Sequence, residues 1–258
     1  MHLKLLRKPT AAEVLAELVE AARRSDWSPE DFARELLERE LEARRRRRVE
    51  RILGGARLPP GKTLATLDTR RLPLRVRRML PELCSGEFVD RADNVLVFGL
   101  PGRGKTHFAC AVAYELAQSG RSVLFSPTFK SVARLLRAKR DLMLEAELRR
   151  LDRFDVLILD DIGYVQQDRE EMEVLFTFLA ERYERRSVLI TSNLVFSKWD
   201  QIFKDPMTTM AAIDRLVHHA TILEFTNGSV RAPKTHERLA DQPVAPAIPF
   251  GSTTSAAP

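Results

Sequence analysis

Between Gly99 and His107 the chain reads Gly99-Leu100-Pro101-Gly102-Arg103-Gly104-Lys105-Thr106-His107, which holds the spacing G-x-x-x-x-G-K-[ST]. Each residue type has a physical job in that spacing. Glycine adopts the backbone angles that let successive N–H groups converge on phosphate oxygens. A helix beginning at Lys105 points its unpaired N–H groups and the positive end of its dipole at the same place. Lys105 then pairs with β and γ oxygens, and the Thr106 hydroxyl becomes a ligand for Mg²⁺. A turn that only links strand to helix needs one or two glycines, not Gly-Lys-Thr in fixed register after Val95-Leu96-Val97-Phe98. The stretch is expected to cradle a triphosphate, ATP with its Mg²⁺, through Gly99 to His107.

Further groups extend this chemistry. Asp160 and Asp161 close the apolar run Val156-Leu157-Ile158-Leu159. Downstream of a phosphate cradle, Asp160 is expected to hold Mg²⁺, directly or through water, and Asp161 to polarise the attacking water. Successive strand residues point to opposite faces, so both reach the phosphates only where the chain leaves the sheet. Another apolar run ends in Thr191-Ser192-Asn193, and Asn193 can orient a water by donating and accepting at once. Arg215, beside Asp214, reads either as half of a local ion pair or as a cation offered to a neighbouring subunit's γ-phosphate. Arg231 follows the last apolar run and can approach the nucleotide from the other side. His218 and His219 are adjacent, so they cannot share a helical face as metal ligands and read as structural.

The elements that position these groups alternate. Apolar runs fall at residues 95–98, 122–126, 156–159, 188–191 and 221–225, and segments with helical spacing fall at 105–118, 129–151, 169–185 and 207–219. Short apolar strands separated by helices mean right-handed crossovers and a parallel sheet covered on both faces. The fold class is therefore α/β, a P-loop NTPase with five parallel strands. Residues 122–126 fall between the cradle strand and the Asp160 strand, which points to the additional-strand branch of P-loop ATPases. Residues 1–53 read as a small, basic, helical N-terminal domain and 54–93 as a linker with one short basic helix. Residues 94–231 read as the ATPase domain, and the Pro-rich residues 232–258 as a disordered tail.

Composition bounds the partners. Net charge is +6, and residues 44–78 carry thirteen Lys or Arg against Glu50 and Asp68. Such a patch binds phosphate backbones, although a solvated face looks the same. The two cysteines, Cys84 and Cys110, are too few for a disulfide framework and fit a reducing compartment. No stretch has the length of a membrane span, so a cytoplasmic protein with no membrane partner is expected.

The stretches GLPGRGKTHFA, FDVLILDDIG, RRSVLITSN and the run from Asp214 to His219 stand in the order and spacing of the IstB-like ATP-binding proteins. The chain resembles that family, which comprises helper ATPases of bacterial insertion sequences related to DnaC helicase loaders within the AAA+ class. The resemblance implies an AAA+ ATPase without a C-terminal helical lid, that oligomerises on double-stranded DNA, recruits and stimulates a transposase, and hydrolyses ATP. A DnaC-like helicase loader is the alternative. By position it implies catalytic roles for Lys105, Asp161, Asn193 and the arginine finger Arg215. It implies metal ligation by Thr106 and Asp160, and a second sensor at Arg231. It also implies DNA contacts along residues 129–150, with Lys130, Arg134, Arg137, Lys139 and Arg140 as candidates, although a solvated amphipathic helix looks alike; the charge run, not the resemblance, adds Arg44, Arg45, Arg46, Arg47 and Arg48.

Overall fold

The computed structural model describes residues 8–162, 169–194 and 216–226. Five strands, β1 (Asn94–Phe98), β2 (Val123–Pro127), β3 (Val156–Ile162), β4 (Ser187–Ser192) and β5 (Ala220–Glu224), form one parallel sheet in the order β2-β3-β4-β1-β5. The central strands β1, β3 and β4 are apolar on both faces because both are covered, whereas the edge strand β5 is largely half-buried. Val95 and Val97 of β1, Ile158 of β3 and Leu189 of β4 enter one core cluster; Leu96, Phe98, Leu157 and Ile190 enter the other. This is the period-two alternation of a strand whose two sides are both buried, and it reads in sequence as an unbroken apolar run.

The strand between β1 and β3 is β4, not the strand over residues 122–126 to which chain order points. That strand is β2, at the sheet edge. Chain order cannot give lateral order, because a crossover helix can carry the chain past several neighbours before the next strand pairs.

On the first face lie α3 (Leu74–Ser85), the short α4 (Glu87–Asp90) and α5 (Lys105–Gln118); on the second lie α6 (Thr128–Arg140), α7 (Leu144–Leu151) and α8 (Arg169–Arg182). The helical spacing over 129–151 is thus two helices. Leu142, with φ +57°, turns the chain between them. Residues 54–93, which read as a linker, are packed. Leu72, Val76, Leu80, Leu83 and Phe88 share a cluster with Phe108 and Val112 of α5.

The N-terminal residues form a helical hairpin, α1 (Pro9–Arg24) and α2 (Pro29–Ala56). Ser28 caps α2 by accepting from the Asp31 N–H at 3.1 Å, and Pro29 supplies the first helical turn without wasting a donor. Glu40 is buried and accepts from the Ala11 N–H at 2.9 Å and from Arg44 Nε at 2.9 Å. The hairpin is therefore pinned by one carboxylate. Helix α2 runs through Gly54-Gly55, where composition points to a break. Ile52, Leu53 and Ala56 pack against the sheet core there, and that burial outweighs the roughly 1 kcal/mol cost of each helical glycine. Arg182 ties the opposite end of the sheet together. It is 2% exposed and donates to the carbonyls of Leu151, Phe154 and Ser187 at 2.9–3.0 Å. Burial pulls its pKa down to about 10, so it stays cationic at neutral pH.

Candidate nucleotide site

The site is built where β1, β3 and β4 end. After Phe98 the chain turns at Gly99, whose φ is +149°; a Cβ there would lie 2.6 Å from the Phe225 carbonyl oxygen. No side chain fits, and the close approach lets β5 support the turn from behind. Gly102 and Gly104 take φ +80° and +92°. Gly104 is the N-cap of α5 and offers no side chain to its first N–H groups, so these remain available for an anion.

Lys105 is only 6% exposed. Its Nζ donates to the carbonyls of Gly99 at 2.6 Å and Leu100 at 3.1 Å, and to Asn193 Oδ1 at 2.7 Å. The Asn193 amide in turn donates to Asp161 Oδ1. Lysine, asparagine and carboxylate form a continuous polar chain across β1, β4 and β3.

A bulge brings the two aspartates to one side. Leu159 is opposite Ile190 and Ile162 is opposite Ser192, so Asp160 and Asp161 together face the single residue Thr191. Asp161 takes φ +65°, the left-handed conformation that such an extra residue adopts at a cost and that clusters at functional sites. Thr191 organises both. Its hydroxyl donates to Asp160 Oδ1 at 2.7 Å and accepts from the Asp161 N–H at 2.8 Å. Thr106 donates to the same Asp160 oxygen at 2.9 Å. Two hard oxygen ligands, the Thr106 hydroxyl and the Asp160 carboxylate, thus stand together beside the cradle, a donor set that fits Mg²⁺ shared with phosphate oxygens.

A cleft of about 450 Å³ opens over these groups, lined by Lys62, residues 101–107, Asp161, Thr191 and Asn193. His107 Nε2 lies 3.1 Å from Thr66 Oγ1 and 3.3 Å from the Thr63 carbonyl, which fastens the 61–66 turn to the first turn of α5. Arg103 donates to the Thr226 carbonyl at 3.1 Å, linking the loop to the end of β5. Sequence reasoning placed Thr191 in the polar triplet that ends β4 but gave it no role of its own, and gave Lys62 no role in the site. A polar residue closing an apolar strand was the signal for the first; Lys62 carried none. Neither cysteine is poised for chemistry, since burial pushes the Cys84 thiol up to about 11 and the Cys110 thiol up to about 12.

Arg215 and Arg231 lie outside the described residues. The basic candidates are not drawn into the cleft. Arg44 and Arg47 pair with Glu40, and Arg48 donates to the Gly120 carbonyl at 3.1 Å. Arg45 and Arg46 are exposed and make no ion pair with a described residue. Arg134 pairs with Glu147, Arg137 with Asp141, Lys139 with Glu173 and Arg140 with Glu170, whereas Lys130 lies over the Phe129 ring. Lys130 and Arg134 also line a second cleft of about 320 Å³ with Arg57 and Arg150. Among the described residues no helix is long and apolar enough to cross a membrane.

A parallel sheet with β4 between the cradle strand and the paired-aspartate strand is the additional-strand P-loop fold, which AAA+ proteins share. Residues 1–238 match the family of IstB-like ATP binding proteins, and the chain belongs to that family. It is 41% identical over 254 residues to an insertion sequence ATP-binding protein of Sinorhizobium fredii, covering 97% of this chain and 84% of that one. It is 39% identical over 214 residues to the insertion sequence IS21 ATP-binding protein of Pseudomonas aeruginosa, covering 83% and 81%. Among solved structures, DnaI superposes with a TM-score of 0.56 at 21% identity, over 66% of this chain and 96% of that one. The DnaC helicase loader superposes with a TM-score of 0.50 at 18% identity, over 58% and 88%. These two likenesses show the fold. The role that family and fold establish is ATP binding.

Proposed function

We propose that this protein is an ATP-hydrolysing helper of transposition that assembles on double-stranded DNA and recruits a transposase. The observation that carries the hydrolytic part is the β3 bulge, which sets Asp160 against Thr106 and Asp161 against Asn193 beside the P-loop lysine. In this reading Lys105 leaves the Gly99 and Leu100 carbonyls for the β and γ oxygens, and the α5 N–H groups hold the remaining phosphate charge. Thr106 and Asp160 hold Mg²⁺, which when bound neutralises charge on the phosphates. Asp161 accepts a hydrogen bond from the attacking water while Asn193 fixes its direction. The water oxygen bonds to the γ-phosphorus as the bond to the β–γ bridging oxygen breaks, and the water's protons end on the phosphate product and solvent. Arg215 supplies transition-state charge to a neighbouring subunit, and Arg231 approaches the same nucleotide.

The relatives named as insertion sequence proteins support the transposition context and hence a transposase partner. The exposed Arg45 and Arg46, with Lys130 and the other cations of α6, support contacts to DNA phosphates. The test is phosphate release and sedimentation of the purified chain on random-sequence duplex DNA, with ATP, with a non-hydrolysable analogue and with neither, at two salt concentrations. A large complex that needs nucleotide and weakens with salt is expected, with turnover rising on assembly. ATP binding with no DNA complex would refute the DNA-assembly reading and favour a helicase loader.

A further inference from the structure

A second cluster of ligating groups lies at the end of the sheet opposite the nucleotide. Glu184 precedes β4, and His218 and His219 precede β5. One ligand atom from each lies within 4.8 Å of the other two. His219 Nε2 is 3.6 Å from Glu184 Oε1. With Zn–N bonds of about 2.0–2.1 Å, tetrahedral ligand atoms stand about 3.4 Å apart, so closing the set takes a movement of about 1 Å. All three side chains are exposed and free to make it.

Adjacency does not separate the two imidazoles here, contrary to the sequence reading. His218 ends a helical turn and His219 begins the turn into β5, so the helical splay between neighbours is lost. Their ring centroids are 4.3 Å apart and nearly perpendicular. Two further features fit a ligand set. The Tyr183 hydroxyl lies 3.2 Å from His218 Nδ1. In the tautomer that donates from Nδ1 to the tyrosine oxygen, the Nε2 lone pair is left for a cation, the outer contact that metal-binding histidines usually make. Glu184 holds φ +56°, a left-handed conformation costly for a residue with a side chain, and this turn aims its carboxylate at His219.

We propose that Glu184, His218 and His219 bind one divalent d-block cation of the Zn²⁺ type, with a fourth position left for water. Two imidazoles and one carboxylate favour such an ion over Mg²⁺, which prefers oxygen ligands throughout, so the site is chemically distinct from the nucleotide's. The cation ties the turn before β4 to the helix end that enters β5. Because residues 216–218 follow directly on Arg215, it restrains the end of the segment carrying the proposed trans-acting arginine. That consequence rests on the proposed role of Arg215; the site itself does not.

The test uses the full chain, freed of metal with a chelator, titrated with Zn²⁺ by calorimetry and with Co²⁺ by visible absorption, in excess Mg²⁺. One cation per chain is expected, with the intense visible bands of four-coordinate Co²⁺. His219→Ala and Glu184→Gln should weaken binding at least about tenfold, and Tyr183→Phe about 10–100-fold, the usual effect of losing an outer partner. Circular dichroism of the His219→Ala and Glu184→Gln variants should match the unsubstituted chain, since those two side chains are exposed. The proposal is overturned if the unsubstituted chain binds no cation, or if His219→Ala and Glu184→Gln bind as tightly as it does. The latter result would assign the ion to other histidines such as His107 or His236. Nothing in these readouts depends on ATP turnover.

Discussion

Replacing Thr191 by valine removes one hydroxyl of almost unchanged volume from the centre of the site. Thr191 is 1% exposed, so water does not substitute. The change deletes a 2.7 Å hydrogen bond to the Asp160 carboxylate and leaves the Asp161 N–H, held at 2.8 Å, without its acceptor. A hydrogen bond to a charged group is worth about 1.5–3 kcal/mol and a buried orphan N–H costs about 1–3 kcal/mol. The two share one hydroxyl and do not add fully, so about 2–4 kcal/mol is expected. At about 2–4 °C per kcal/mol for a chain of this size, the melting temperature should fall by about 4–16 °C. The P-loop and Lys105 are untouched, so affinity for a fluorescent ATP analogue should stay within about threefold, on the order of 0.6 kcal/mol. Turnover should fall about 10–100-fold, because the bulge that orients Asp161 loses its anchor and each 1.36 kcal/mol of lost transition-state stabilisation is tenfold. Thr191→Ser keeps the hydroxyl and should recover most of both losses. If the valine variant melted and turned over like the unsubstituted chain, or the serine variant were as impaired as the valine one, Thr191 would not be the organiser inferred here.

Other substitutions probe neighbouring steps. Asp161→Asn keeps the hydrogen-bonding shape but removes the acceptor charge; ATP binding should persist while phosphate release drops at least about 100-fold, the lower range for general-base loss, as read in a coupled phosphate assay. Gly99→Ala should cost about 3 kcal/mol or more in urea unfolding, because its methyl meets the Phe225 carbonyl at 2.6 Å and its backbone cannot relax from φ +149°. A full-strength nucleotide complex in that variant would contradict the packing argument. Glu40 gives a pH signature. Its burial raises the pKa, but the Ala11 N–H, Arg44 and Arg47 outweigh this and hold the carboxyl below its ordinary value. A group depressed in the folded state adds stability above its unfolded pKa and loses it as pH falls through the folded one. Hairpin stability, followed by Trp27 fluorescence at the α1–α2 turn, should therefore decline below about pH 4.5, and Glu40→Gln should flatten that decline. An unchanged acid titration in the glutamine variant would remove Glu40 from the account.

Much of the site is legible in the sequence because the P-loop is local. The backbone turn, the helix start and the lysine lie within nine consecutive residues, and no distant contact is needed to recognise them. Strand existence is equally local, since each core strand is an apolar run. Lateral order is not, and assigning β4 rather than β2 to the place beside β1 takes the pairing Leu96 with Ile190. The organising role of Thr191 escaped notice for the same reason. Threonine is an ordinary strand former, and its role exists only because β4 lies against β3. The 54–93 segment misleads through its glycines and prolines, which record local propensity, while Leu72 to Phe88 are placed by a core assembled from residues far away in the chain.

The aspartate pair shows where pattern reading stops. A regular strand sends neighbours to opposite faces, and on that rule one of Asp160 and Asp161 would enter a core where an unpaired carboxylate is costly. The expectation that both turn to one side because the chain leaves the sheet names a different route from the one the structure takes. The chain has not left: Ile162 pairs with Ser192, beyond both aspartates. One extra residue in β3, absorbed by the left-handed Asp161, changes the phase of the alternation and returns Ile162 to the core at 0% exposure. No residue type in the sequence announces that extra residue, since a left-handed position is usually glycine and here it is aspartate. The site thus keeps both carboxylates within the sheet's rigid frame, so that Asp160 meets α5 through Thr106 while Asp161 meets β4 through Asn193. Any motion of β4 against β3 must then move both carboxylates together, the pair to which the proposed mechanism gives metal ligation and water orientation.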